Sequence, residues 1–195
     1  MHFHDAEEKT VTRENRIGLT MRQLLIIFFA ALIFDAAMAQ RVMSDRNRNG
    51  VRVVEMSGKT FDINMRSHKV SLIGIVEDGE KRYEIDVMTY VDIPDNSKMQ
   101  LKLFDGDTIT LESAKTKEGY TMVVSPGGMT PVMPFANITA VYPVTPEQLA
   151  KIYAAGIRRM EIEASYNSRG RSWKKDKLGV FLGKSLDKLE ERLKK

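Results

Sequence analysis

Residues 70–91 read VSLIGIVEDGEKRYEIDVMTYV, and this stretch decides the fold. Asp78-Gly79 divides it into two β-rich runs, and Asp-Gly between such runs signals a two-residue hairpin turn. In the second run Tyr83, Ile85, Val87, Thr89 and Val91 alternate with Glu84, Asp86, Met88, Tyr90 and Asp92, as on a strand with one apolar face. In the first, Val70, Leu72, Gly74 and Val76 alternate with Ser71, Ile73, Ile75 and Glu77. Both sets are largely apolar, which predicts burial on both faces.

The same pattern extends in both directions. Val51–Val54 opens it, and Met99, Leu101 and Leu103 lead through Asp105-Gly106 to Ile109 and Leu111. Tyr120–Val124, a Gly/Pro loop over Ser125–Pro134 and a strand over Phe135–Tyr142 follow. The period then changes. Thr145-Pro146-Glu147-Gln148 is a helix start, with Thr145 as cap, Pro146 in the first helical position and Gln148 closing a capping box. Leu149, Ile152 and Tyr153 form its stripe, and Gly156 ends it in the left-handed conformation. Ile157–Ala164 alternates again, and Leu178, Phe181, Leu182, Leu186, Leu189 and Leu193 recur at helical spacing. The expectation is one α+β domain over residues 51–195. It comprises about eight mainly antiparallel strands in a sandwich or partial barrel, with two helices in the C-terminal third.

Upstream, Met21–Gln40 (MRQLLIIFFAALIFDAAMAQ) reads as a signal peptide over residues 21–39, within a leader of residues 1–39. Arg22 supplies the positive n-region, Leu24–Phe34 is an apolar run of 11 residues, and Ala37-Met38-Ala39 is the cleavage box. The run is shorter than the roughly 20 residues a bilayer-spanning helix needs. Cleavage at Ala39-Gln40 predicts a periplasmic or secreted product without a transmembrane span, in which Gln40–Gly50 is a flexible lead-in. The 195-residue chain has no cysteine, which excludes disulfides, thiolate metal sites, a cysteine nucleophile and a lipidated N-terminal cysteine. Stability must come from the core.

Removing the leader's four basic and five acidic residues leaves 26 basic and 21 acidic. From Arg158 onward there are 12 basic and 6 acidic residues, so the positive excess lies in the C-terminal fifth. There Arg158 and Arg159 precede Tyr166-Asn-Ser-Arg169-Gly-Arg171-Ser-Trp173-Lys174-Lys175. Cations interleaved with aromatics hold polyanions by charge and stacking. The candidate ligand-binding residues are therefore Arg158, Arg159, Arg169, Arg171, Trp173, Lys174 and Lys175. In an exported protein the partner expected is an anionic glycan, a lipid headgroup or an envelope protein rather than nucleic acid. The competing reading is a solvated basic face with Trp173 in the core.

Other chemistry is weaker, and no catalytic residue, metal or cofactor is expected. Asp45-Arg-Asn47-Arg-Asn49-Gly50 matches half of a calcium loop, but Met56 stands where the bidentate Glu belongs. His68 reads as a solvated residue of a polar turn. Met122, Met129 and Met133 gather near the Gly/Pro loop, where gap-filling explains them better than copper binding. Glu84 with Asp86, and Glu161 with Glu163, share strand faces and offer the two acids of a glycosidase. The expected function is thus a non-catalytic exported binding or assembly module. The alternative is a glycan-active hydrolase.

The order LKLFDGDTITLES (101–113), VYPVTPEQLAKIYAAGIRRMEIEA (141–164) and a Lys-rich terminal helix resembles small uncharacterised secreted proteins common in Bacteroidales, as does a leader ending in Ala-Gln. The resemblance implies an envelope or secreted location and carries no catalytic signature.

Overall fold

A computed structural model describes residues 40–63, 66–123 and 133–195, and Gln40–Lys195 forms one compact unit. The leader and the Gly/Pro loop at 124–132 lie outside the described residues, as do the side chains of the methionines around that loop. At the centre is the expected hairpin, formed by β4 (Arg66–Glu77) and β5 (Glu80–Thr89). Glu77 pairs with Glu80, so Asp78 and Gly79 alone make the turn, with φ of 50° and 82°. Positive φ at both positions matches the turn's twist to that of the strands.

Around this hairpin a seven-stranded antiparallel sheet runs β1 (Val42–Arg48), β2 (Val51–Met56), β4, β5, β9 (Met133–Val144), β8 (Lys115–Val123). The seventh strand, β3 (Lys59–Ile63), lies end to end with β2 along the same edge of β4. A second sheet is ordered β11 (Arg169–Ser172), β10 (Ile157–Ile162), β6 (Lys98–Leu103), β7 (Thr108–Glu112). Helix α1 (Pro146–Ala155) and helix α2 (Leu178–Leu193) complete an α+β fold with open sheets, of the sandwich or partial-barrel type.

The alternation places the core. Val70 and Leu72 on β4, Tyr83, Ile85 and Val87 on β5, and Ala140 and Tyr142 on β9 join Met99, Leu101, Met160 and Ile162 of the second sheet in one buried cluster. Leu178, Phe181, Leu182 and Leu189 of α2 close it, while Leu186 is only half-buried. Gly74 lets α2 approach, since a Cβ there would lie 2.9 Å from Leu189 Cδ2.

The capping box of α1 forms as expected. Gln148 N donates to Thr145 Oγ1 at 3.2 Å, and Thr145 N donates to Gln148 Oε1 at 2.9 Å. Gly156 differs in detail. Its φ is 71° but its ψ is 164°, so the chain leaves the helix directly into β10.

Three other expectations are corrected. Gln40–Gly50 is not a flexible lead-in, because β1 pairs with β2 from Val42 to Arg48 and Asn49-Gly50 makes a second hairpin turn at φ of 52° and 82°. The half-match to a calcium loop was not expected to bind metal, and its Asp45 is engaged within the protein: Arg52 donates to both of its oxygens (3.0 and 2.9 Å), and Arg192 donates to Oδ2 at 2.7 Å. His68 is 1% exposed, on the core face with Val70, and its Nδ1 lies 3.0 Å from Arg66 O. Eleven strands are described rather than eight, the additions being β1, β3 and β11.

Candidate functional site

β3 and β11 approach each other where the two sheets meet, and the segment from Trp173 to Lys177 leads from β11 into α2. Between them lies a groove of about 440 Å³, lined by Lys59–Asp62, Arg171, Trp173, Asp176, Lys177 and Val180. Its floor is aromatic. Phe61 stands edge-on to Trp173 at 5.9 Å and to Phe181 at 5.9 Å, and Lys59 Nζ lies 5.8 Å from the Phe61 ring centroid. The groove owes its shape to the short β3. Alternation sends Phe61 and Ile63 inward and Thr60 and Asp62 outward, while Lys59, on the Phe61 side at the start of the strand, stays exposed.

Three cations ring this floor: Lys59, Arg171 and Lys177. The two acids are held by the protein itself. Asp62 accepts from Ser67 Oγ at 3.0 Å, and Asp176 Oδ1 accepts from Gly179 N at 2.7 Å at the start of α2. Arg171 is anchored by a hydrogen bond from Nη1 to Asp62 O, and Trp173 by its backbone N to Arg158 O at 2.7 Å. Exposed Lys174 and Lys175 adjoin the rim in sequence.

The basic residues singled out by sequence therefore divide. Arg171 and Trp173 line the groove. Trp173 is only 7% exposed, so it offers a ring edge within the floor rather than an open stacking platform. Arg159 pairs in register with Ser172, and Arg171 with Met160, so alternation sets the two arginines on opposite faces of the sheet. Arg159 is further engaged by Glu161 at 2.9 Å. Arg169 is half-buried, with its Nε enclosed and unbonded, and Arg158 is exposed. Lys59 and Lys177 were invisible as site residues. The first lies on a short polar strand more than 100 residues before Arg171, and the second stands just past the end of the Arg/Trp/Lys run that drew the eye.

The carboxylate pairs divide too. Glu161 is bound to Arg159, and Glu163 Oε2 accepts from Lys98 N at 3.1 Å. Asp86 is 8% exposed and its Oδ1 has no hydrogen-bond partner. Burial pushes its carboxyl up to about 6, against the opposing pull of Lys117. Among the described residues no cluster of three or more His, Asp or Glu is placed to hold a metal. No described helix is long and apolar enough to cross a membrane.

Fold and groove define a class: a two-sheet α+β domain with an open, cation-rimmed cleft at the junction of its sheets. No known protein family, curated protein or solved structure matches the chain.

Proposed function

We propose that the protein is an exported, non-catalytic binding module that holds an anionic envelope glycan in the groove between β3 and the start of α2. The observation that carries this reading is the gathering of Lys59, Arg171 and Lys177 around the Phe61–Trp173 floor, while Asp62 and Asp176 are occupied by hydrogen bonds. Exposed cations steer and hold a polyanion through a field that salt screens over about 8 Å at physiological ionic strength. The aromatic floor offers only ring edges, since Phe61 and Trp173 are 6% and 7% exposed, so the cations carry the binding. Export rests on residues 21–39. Intact mass of the protein recovered from its host's envelope or medium should place the N-terminus at Gln40, and a cytoplasmic product that keeps Met21 would refute it.

The binding test uses immobilised polygalacturonate, with phosphatidylglycerol vesicles as the lipid arm. Replacing Arg171, Lys174, Lys175 and Lys177 together with Ser should abolish retention on the glycan, and retention of the parent should fade as salt rises. Arg169 is left intact because it is half-buried. All four replaced side chains are exposed, so the melting temperature should fall by no more than the loss of the Arg171–Asp62 hydrogen bond explains. A cooperative melt will show that the variant is folded. Equal retention of the quadruple variant would reduce the basic segment to a solvated face, and capture on vesicles alone would make the partner a lipid headgroup. Release of reducing ends from the glycan by the parent protein would turn the reading toward hydrolysis, with Asp86 and Glu84 as the acids to replace.

A further inference from the structure

A second groove, of about 410 Å³, crosses the opposite face of the seven-stranded sheet, the face turned away from the core. Strand register builds it. Arg46 pairs with Val53 and Arg48 with Val51, so two arginines stand beside two valines on one face. Ile73, paired with Glu55, continues the apolar floor toward Asp86, and Lys117 of β8 stands at the far side. The volume falls within the roughly 300–1,000 Å³ common among small-molecule sites.

Three features say what would fill it. Arg46 and Arg48 make no hydrogen bond or ion pair among the described residues, so their charge is free to meet an anion. The floor of Val51, Val53 and Ile73 is apolar at the foot of those cations. Asp86 is buried beside that floor with Oδ1 unbonded, and a carboxylate in this position resists any further cover. The charged groups facing it are Glu84 on its own strand, Glu55 from β2, and Lys115 and Lys117 from β8. Its neighbours in register, Ser71 on β4 and Val141 on β9, are uncharged.

We infer that this face binds a small amphiphilic anion, its charged head between Arg46 and Arg48 and its alkyl chain across Val51, Val53 and Ile73 to cover Asp86. Three cations line the groove against two acids, Glu55 and Asp86, and protonation of Asp86 removes one of the acids. A ligand whose tail covers this carboxyl favours the protonated form, so by linkage binding tightens as the pH falls through about 6.

The test uses free 1-octanesulfonate, whose head stays ionised across the pH range, and follows binding by calorimetry on the intact protein. Saturable binding is expected, about tenfold tighter at pH 5 than at pH 7.5. Asp86→Asn should bind with little pH dependence, at close to the parent's low-pH affinity. Replacing Arg46 and Arg48 together with Ser should weaken binding at every pH, whereas Arg171→Ser, in the other groove, should leave it unchanged. Both arginines are exposed, so an unaltered melting curve will show that the double variant is folded. The inference is overturned by tighter binding of octyltrimethylammonium, by equal binding in the double arginine variant, or by a pH profile that Asp86→Asn leaves in place. Capture on phosphatidylglycerol vesicles without binding of the free sulfonate also overturns it, in favour of a membrane surface.

Discussion

A carboxyl group buried without a partner opposes folding whenever it is charged, and Asp86 is such a group. The folded chain keeps its proton up to about pH 6, whereas the ordinary value is 3.8. Between those values the folded state binds more protons than the unfolded one. The stability this group allows is therefore greatest below about pH 4 and declines as the pH rises through 6. The loss amounts to about 2–3 kcal/mol at neutrality. Asp86→Asn should accordingly melt above the parent at pH 7.5 and no higher than it at pH 4, as followed by circular dichroism, and identical curves at pH 7.5 would refute the burial argument. His68 acts with the opposite sign. Burial lowers its pKa, so acid below its ordinary 6.5 favours the unfolded chain. Asp45 adds a third dependence. Hydrogen bonding by Arg52 holds it down near 2, and its contribution is present above 3.8 and lost as the pH falls toward 2.

At the scale of elements, the contact between α2 and the sheet can be tested at one point. Leu189 is fully buried and rests on Gly74, so Leu189→Ala should cost about 2–5 kcal/mol in denaturant unfolding. Gly74→Ala should destabilise as well, because the new methyl group meets Leu189 at 2.9 Å. Made together, the two substitutions should cost less than the sum of their separate effects, and strict additivity would mean that helix and strand do not touch here. Leu186, equal to Leu189 in the heptad-like stripe, is only half-buried, and spacing alone does not distinguish them. The elements legible in the sequence were those with an apolar run or a strong terminus: β2, the β4–β5 hairpin, β6, β7, the end of β8, β9, β10 and both helices. β1, β3 and β11 were hidden for a shared physical reason. They are short or polar border strands, rich in Arg, Lys and Asp, and charge at a sheet's border discourages pairing with other chains while it masks the alternation. Asn49-Gly50 did signal a hairpin, but the half-match to a calcium loop competes for the same residues. His68 was misread because the start of β4 is polar, although counting back by twos from Leu72 and Val70 places it inside.

Over the whole molecule, the three hidden strands are also the ones that form the grooves. β3 and β11 line one, and β1 borders the other. This explains why the fold class could be read while the grooves could be read only in part. A core is written locally, as periodic apolar residues, whereas each groove gathers side chains from three or more separate stretches that no spacing rule connects. Arg171 and Trp173 were found because they lie close together in the chain, and Lys59 was missed because it does not. The pairing of the first hairpin with the last helix has one more consequence. Asp45 and Arg52 meet Arg192 across 147 and 140 residues, and Lys81 meets Glu190 across 109. A ribosome must therefore release almost the entire chain before the sheet's first strands gain the helix that covers them. Such long-range closure makes folding slow. For the export proposed above this delay would be useful, because a domain that cannot close early remains threadable while it crosses a membrane.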